Sequence, residues 1–299
     1  MKIIQTLLVV LDNCVAAKDD EYPIELEKAL RLATDKSSTH LVLFSVAYQK
    51  HLDHDFLSLD FNQAEKRQEY CDELLESVNS IADRLKAKGY QVTAEVKWGY
   101  PSYEQVIAKA SAIAADLIVK HCRAYGKLDI NHLSNDSWQL VRHCSVPLLL
   151  VKNKPWSAKV KLLAAIDPMH NHDKPQALDH KIMAAAQILS EALAGELHVV
   201  HAYAEAARPF APAGRIKSEH NEALTEFLAG YSIPETLLHF VDATPIMALE
   251  KEADEIDPDI IAMGAMSRSR LSEMLIGSTA EQVLDFINTD ILILKPTAA

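Results

Sequence analysis

DIIAMGAMSRSRLSEMLIGSTAEQVLDFINTDILILKP, residues 259–296, holds one complete strand–loop–helix–strand unit. After Asp259 the run to Met263 is apolar at every position, the pattern of a strand covered on both faces. Gly264 follows, then a largely polar stretch that ends at Gly277, Ser278 and Thr279. A helix opens there, with Glu281 in its first turn, and a second apolar strand at 291–294 closes the unit. Strands joined through a helix in this way pair in parallel. A glycine at the end of the first strand lets backbone amides come close to a ligand. Gly-Ser-Thr at a helix start adds N–H groups, hydroxyls and the positive end of the helix dipole. Together they form a candidate phosphate cradle.

The same unit occurs earlier in the chain, and the repeat extends outward from it. DLIVKH (116–121) returns as DIIAMG (259–264), and VPLLLVKNKP (146–155) overlies TDILILKP (289–296) at the same spacing of 143 residues. TLLVVLDN (6–13) returns as KLLAAIDP (161–168), and HLVLFSVAY (40–48) as ELHVVHAYA (196–204). The spacing is larger for these early pairs, so the first copy carries extra residues in its middle. Helical periodicity covers 62–88, stopped by Gly89, and 102–115 in the first copy; in the second it covers 174–194, 221–228 and 245–255. Apolar strands alternating with helices predict an α/β fold, an open parallel sheet with helices on both faces, twice. The polar, proline-bearing stretch KNKPW (152–156) marks the boundary, giving domains at 1–153 and 157–299.

Composition narrows the functional classes. A net charge of −12 without a basic run disfavours a nucleic-acid backbone as partner. No stretch approaches the length of a membrane span. The apolar start MKIIQTLLVVLD is broken by Asp12 and recurs inside the chain, which reads as a strand rather than a leader. Cys14, Cys71, Cys122 and Cys144 form no CxxC and suit reduced thiols of a cytoplasmic protein.

The spacing Gly264-x2-Ser267-x9-Gly277-Ser278, set between a DIIAM strand and an EQVL helix, resembles the nucleotide loop of the universal stress protein family, Gly-x2-Gly-x9-Gly-Ser/Thr. Ser267 departs from it, standing where the family has its second glycine. With the duplication, the whole chain looks like a tandem universal stress protein of the UspE type, on DLIVKHC, DSWQLVRHCSVPLLLVKNKPW (136–156) and GSTAEQVLD (277–285). The resemblance implies two Rossmann-like domains of the adenine nucleotide alpha hydrolase kind. Each would have a five-stranded parallel sheet, the pair forming an internal pseudo-dimer, with further homodimerisation open. It implies ATP, with or without Mg²⁺, as ligand of the second domain, and a role in stress tolerance. Asp167 would approach the nucleoside, Ala165 and Ile166 would line the base, and the Ala202 backbone would read adenine. Met263 and Gly264 end the fourth strand. Ser267, Gly277, Ser278 and Thr279 would hold phosphates, with Arg268 and Arg270 suited to the phosphate tail. In the first copy His121, Ala124, Ser134 and Asn135 fall on Gly264, Ser267, Gly277 and Ser278, so no glycine of the cradle remains there.

Plainer roles stand beside these. Asp167 precedes Pro168, where Asp starts turns, and its counterpart Asp12 sits in the half without a cradle. Ser278 and Thr279 suit a helix cap, and Arg268 and Arg270 suit solvated charges. The His–Asp clusters HLDHD (51–55) and MHNHD (170–173 and its preceding Met169) lack a full metal set. Residues 205–220 form the least regular region of the second half, with Phe210 a candidate for an apolar lid. No nucleophile elbow, HExxH or Walker lysine is present, which favours binding over catalysis. The rival readings are a nucleotide-independent carrier or interaction protein taking a small apolar ligand, and a slow ATPase.

Overall fold

The computed structural model describes residues 4–12, 21–53, 63–122, 133–169, 176–205, 212, 214–265 and 278–296. The chain divides into two compact units that change over between Val151 and Lys152. The first contains β1 (Thr6–Val10), α1 (Ile24–Leu32), β2 (His40–Ala47), α2 (Lys50–Asp53), α3 (Gln63–Ala87), β3 (Gln91–Trp98), α4 (Ser102–Ala112), β4 (Leu117–His121), α5 (Asn135–His143) and β5 (Leu148–Val151). Its strands lie in the order β3-β2-β1-β4-β5 and every described pairing is parallel. The second contains β6 (Lys161–Ala165), α6 (Gln176–Ala192), β7 (Glu196–Tyr203), α7 (Arg215–Leu228), β8 (Leu238–Asp242), α8 (Pro245–Ile256), β9 (Ile260–Gly264), α9 (Ser278–Phe286) and β10 (Asp290–Leu294). Its order is β10-β9-β6-β7-β8, again parallel throughout the described pairings. The order reverses between β1 and β4 in the first unit and between β6 and β9 in the second, and an open α/β sheet offers a crevice at the strand C-termini near such a switch point.

The central strands are buried along their whole length because helices cover both faces: β1, β4, β6 and β9 place Leu8, Val9, Ile118, Leu163, Ile260 and Ile261 at no measurable exposure. The extra residues of the first copy lie in α2 and α3. α3 has 25 residues where α7 has 14.

Aspartates hold the strand starts together. Asp116, before β4, accepts the Gln5 and Thr6 N–H groups, each at 2.9 Å. Asp259, 143 residues on, accepts Ser157 N–H at 2.8 Å and Lys161 N–H at 2.9 Å. A third, Asp290, accepts Lys152 N–H and the Trp156 indole N–H, both at 2.7 Å. The KNKPW stretch read as the domain boundary is therefore anchored, with Trp156 only 8% exposed. The region expected to be irregular up to residue 220 differs as well. α7 begins at Arg215, immediately after Gly214, whose φ of 77° sets the turn into the helix.

Candidate functional site

β6 and β7 run side by side and release the chain at the same end of the second sheet. Beyond β6, Ile166 N–H donates to the Val200 carbonyl at 3.1 Å. Asp167 N–H donates to Oδ1 of Asp179 at 3.1 Å, and Asp179 is fully buried near the start of α6. These two bonds fix the turn that carries Asp167. Above it opens a cavity of about 330 Å³. Ala165, Ile166 and Asp167 line it from β6; Val200, His201, Ala202, Tyr203 and Ala204 from β7. Ile216 and His220 close it from α7, and Ala243, Pro245, Ala248 and Leu249 from the entry and first turns of α8. Among the described lining residues Asp167 is the one carboxylate on an otherwise aliphatic and ring-bearing wall.

Four of the residues singled out from sequence, Ala165, Ile166, Asp167 and Ala202, thus meet on one surface. Met263 and Gly264 end β9 and are not on that lining. Gly264 answers a packing demand: a Cβ there would lie 2.7 Å from Cδ2 and 3.2 Å from Cγ of Leu178, which α6 presses against β9. Ser278 and Thr279 open α9. Ser267, Arg268, Arg270 and Gly277 lie outside the described residues, as does Phe210. So do His54 and Asp55 and the His170–His172–Asp173 set; among the described residues no cluster of three metal-ligating side chains occurs.

Two histidine pairs on β7 were not evident in the sequence. His201, 1% exposed, places Nδ1 3.1 Å from the Ile166 carbonyl and Nε2 2.8 Å from Nδ1 of His220. The rings stack with centroids 5.0 Å apart, and Phe240 backs His201 at 5.9 Å and Tyr203 at 4.3 Å. Burial holds His201 below the usual imidazole value, opposed by the Ile166 carbonyl and by Asp167. On the opposite face, since side chains alternate along a strand, Nδ1 of His198 lies 3.0 Å from Nε2 of His239. His239 in turn places Nδ1 2.7 Å from Oε2 of Glu252, a residue 3% exposed. Burial, then His239, lowers the His198 value. The signal for both pairs was the HxxH spacing at His198 and His201, unreadable without partners 41 and 19 residues away.

The first unit is built differently at the matching place. Lys120, at the position of Met263, is 3% exposed and ion-pairs with Asp12, the counterpart of Asp167. The carboxylate that lines a cavity in one unit is engaged by an internal ammonium in the other.

Comparison with known proteins agrees with this duplication. The model of the universal stress protein family matches twice, over residues 4–152 and 160–295. "Universal stress protein E" of Salmonella typhi is 26% identical over 99% of this chain and 96% of its own length. The Escherichia coli K12 protein of that name is 25% identical over 99% of this chain and 95% of its own. Among solved structures, a putative universal stress protein from Pseudomonas aeruginosa UCBPP-PA14 superposes with a TM-score of 0.76 at 27% identity, covering 98% of this chain and 94% of that one. A universal stress protein from Archaeoglobus fulgidus, at 18% identity and a TM-score of 0.67, shares the fold over 97% of this chain and 98% of its own. The chain belongs to the universal stress protein family, as a tandem of two such domains.

Proposed function

We propose that the second unit binds an adenine nucleotide, ATP, and that the protein acts in the stress response by binding rather than by dedicated catalysis. The observation that carries this reading is the convergence of Ala165, Ile166, Asp167 and Ala202 on one cavity at the strand C-termini. The aliphatic and ring-bearing walls suit a flat base, and Asp167 suits hydroxyls of a sugar. Phosphates would lie toward Gly264 and the start of α9, whose first N–H groups have no partner within the helix. In the first unit the Lys120–Asp12 pair takes up the carboxylate such a ligand would need. No helix among the described residues is long and apolar enough to cross a membrane.

Calorimetric titration of ATP into nucleotide-stripped full chain tests the reading. Saturation near one ATP per chain is expected, abolished by Gly277→Val and weakened about tenfold or more by Asp167→Ala, the cost of one hydrogen bond to a charged group. Absence of heat at millimolar ATP would remove the nucleotide. The predominantly aliphatic cavity lining would then favour a carrier of a small apolar ligand.

A further inference from the structure

The two units clasp the same strand crossing with different chemistry. In the first, Ser45 Oγ donates to the Leu11 carbonyl at 2.8 Å. In the second, His201 holds the matching position, 156 residues on, and reaches the Ile166 carbonyl at 3.1 Å. A hydroxyl is enough for the clasp. The imidazole keeps it and adds Nε2, which meets His220 on the cavity wall. A carbonyl oxygen only accepts, so His201 carries a proton on Nδ1. In the neutral pair its Nε2 then accepts from His220 Nδ1–H. One added proton leaves that N···N bond intact. A second would place protons on both facing nitrogens and break it, so the pair is a one-proton site.

We propose that this pair gates the cavity: when neutral it admits an uncharged heteroaromatic group, the nucleoside part of a nucleotide, and when protonated it disfavours that group. The inference rests on the nucleoside reading of the cavity. Among the described residues, the charged groups that face the pair are Asp167, on the same wall, and the buried Asp179 of α6; both favour the proton. α7 contributes Ile216 and His220 itself, β7 contributes Tyr203, β8 contributes Phe240, and the α8 lining is uncharged. In the open cavity solvent reaches the half-buried His220 and can stabilise an imidazolium. A ligand that fills the cavity displaces that solvent and penalises the charged form. Ligand binding therefore expels the proton, and affinity falls as pH falls.

Adenosine is the probe, because it carries no charge between pH 5.5 and 8.0. Titrated into the full chain, it should bind about three- to tenfold more weakly at pH 5.5 than at pH 8.0, tenfold being one unit of displaced titration. Heats measured in two buffers of different ionisation enthalpy should show proton release near pH 6. His201→Ser, which copies the Ser45 clasp, and His220→Gln should each flatten the pH profile, with circular dichroism at each pH reporting the fold. Binding that ignores pH, or a profile unchanged in both variants, overturns the gate and leaves the nucleoside reading standing. Failure of adenosine to bind at every pH overturns both.

Discussion

At the scale of single residues, Gly264 is a glycine explained by the helix that packs against its strand. Leu178, itself 1% exposed, occupies the space a Cβ would need. Gly264→Ala should destabilise the chain by about 1–3 kcal/mol, the usual cost of overpacking a core. Urea denaturation measures it; an unchanged midpoint would show that Leu178 repacks and that the position is kept for a ligand alone. The candidate site was legible in part for reasons these residues make plain. Ala165, Ile166, Asp167 and Ala202 were named because they sit at strand ends where the family resemblance implies ligand contacts. His201 and His220 were not, because an imidazole in an alternating strand looks the same whether it packs, bonds or titrates. Only its distance to a residue on another helix separates those roles.

At the scale of elements, each sheet depends on a carboxylate placed before its strand. Asp259 is 2% exposed and binds two backbone N–H groups across the start of β6 and β9, as Asp116 does for β1 and β4. Asp259→Ala strands both donors and should cost about 2–4 kcal/mol, since each orphaned donor carries a penalty of about 1–3 kcal/mol. Asp259→Asn, which retains an acceptor, should recover part of the loss; equal losses for the two substitutions would place the effect in packing rather than in the bonds. The inner strands were readable because burial on both faces makes them continuous apolar runs. The outer strands β3 and β8 were not singled out, since their burial is partial and mixed, as in QVTAEVKW. The first turn of α7 was missed because RIKSE carries little apolar periodicity and its start signal is the left-handed Gly214.

At the scale of the whole molecule, the histidines give the second unit a dependence on acidity that the first has less reason to share. His198 and His201 both titrate below the 6.5 of an unconfined imidazole, through burial. Between folded and unfolded values the unfolded chain binds more protons, so stability rises with pH across that window and falls on acidification. The transition temperature should therefore drop between pH 7.5 and pH 5.5, and His201→Ser should reduce the drop; a transition indifferent to pH over that range would contradict the assignment. The halves also differ in what they can become. Lys120 and Asp12 satisfy each other, and Lys120 is nearly inaccessible. Replacing Asp12 alone strands a buried ammonium, a change that costs up to about 3–5 kcal/mol in fully buried pairs, whereas the carboxylate of Asp12 is part-exposed and is solvated once Lys120 is replaced. In that half Lys120 must therefore change before Asp12 can. The first half thus imposes an order on change at this place, and the second, with Met263 in the position of Lys120, does not.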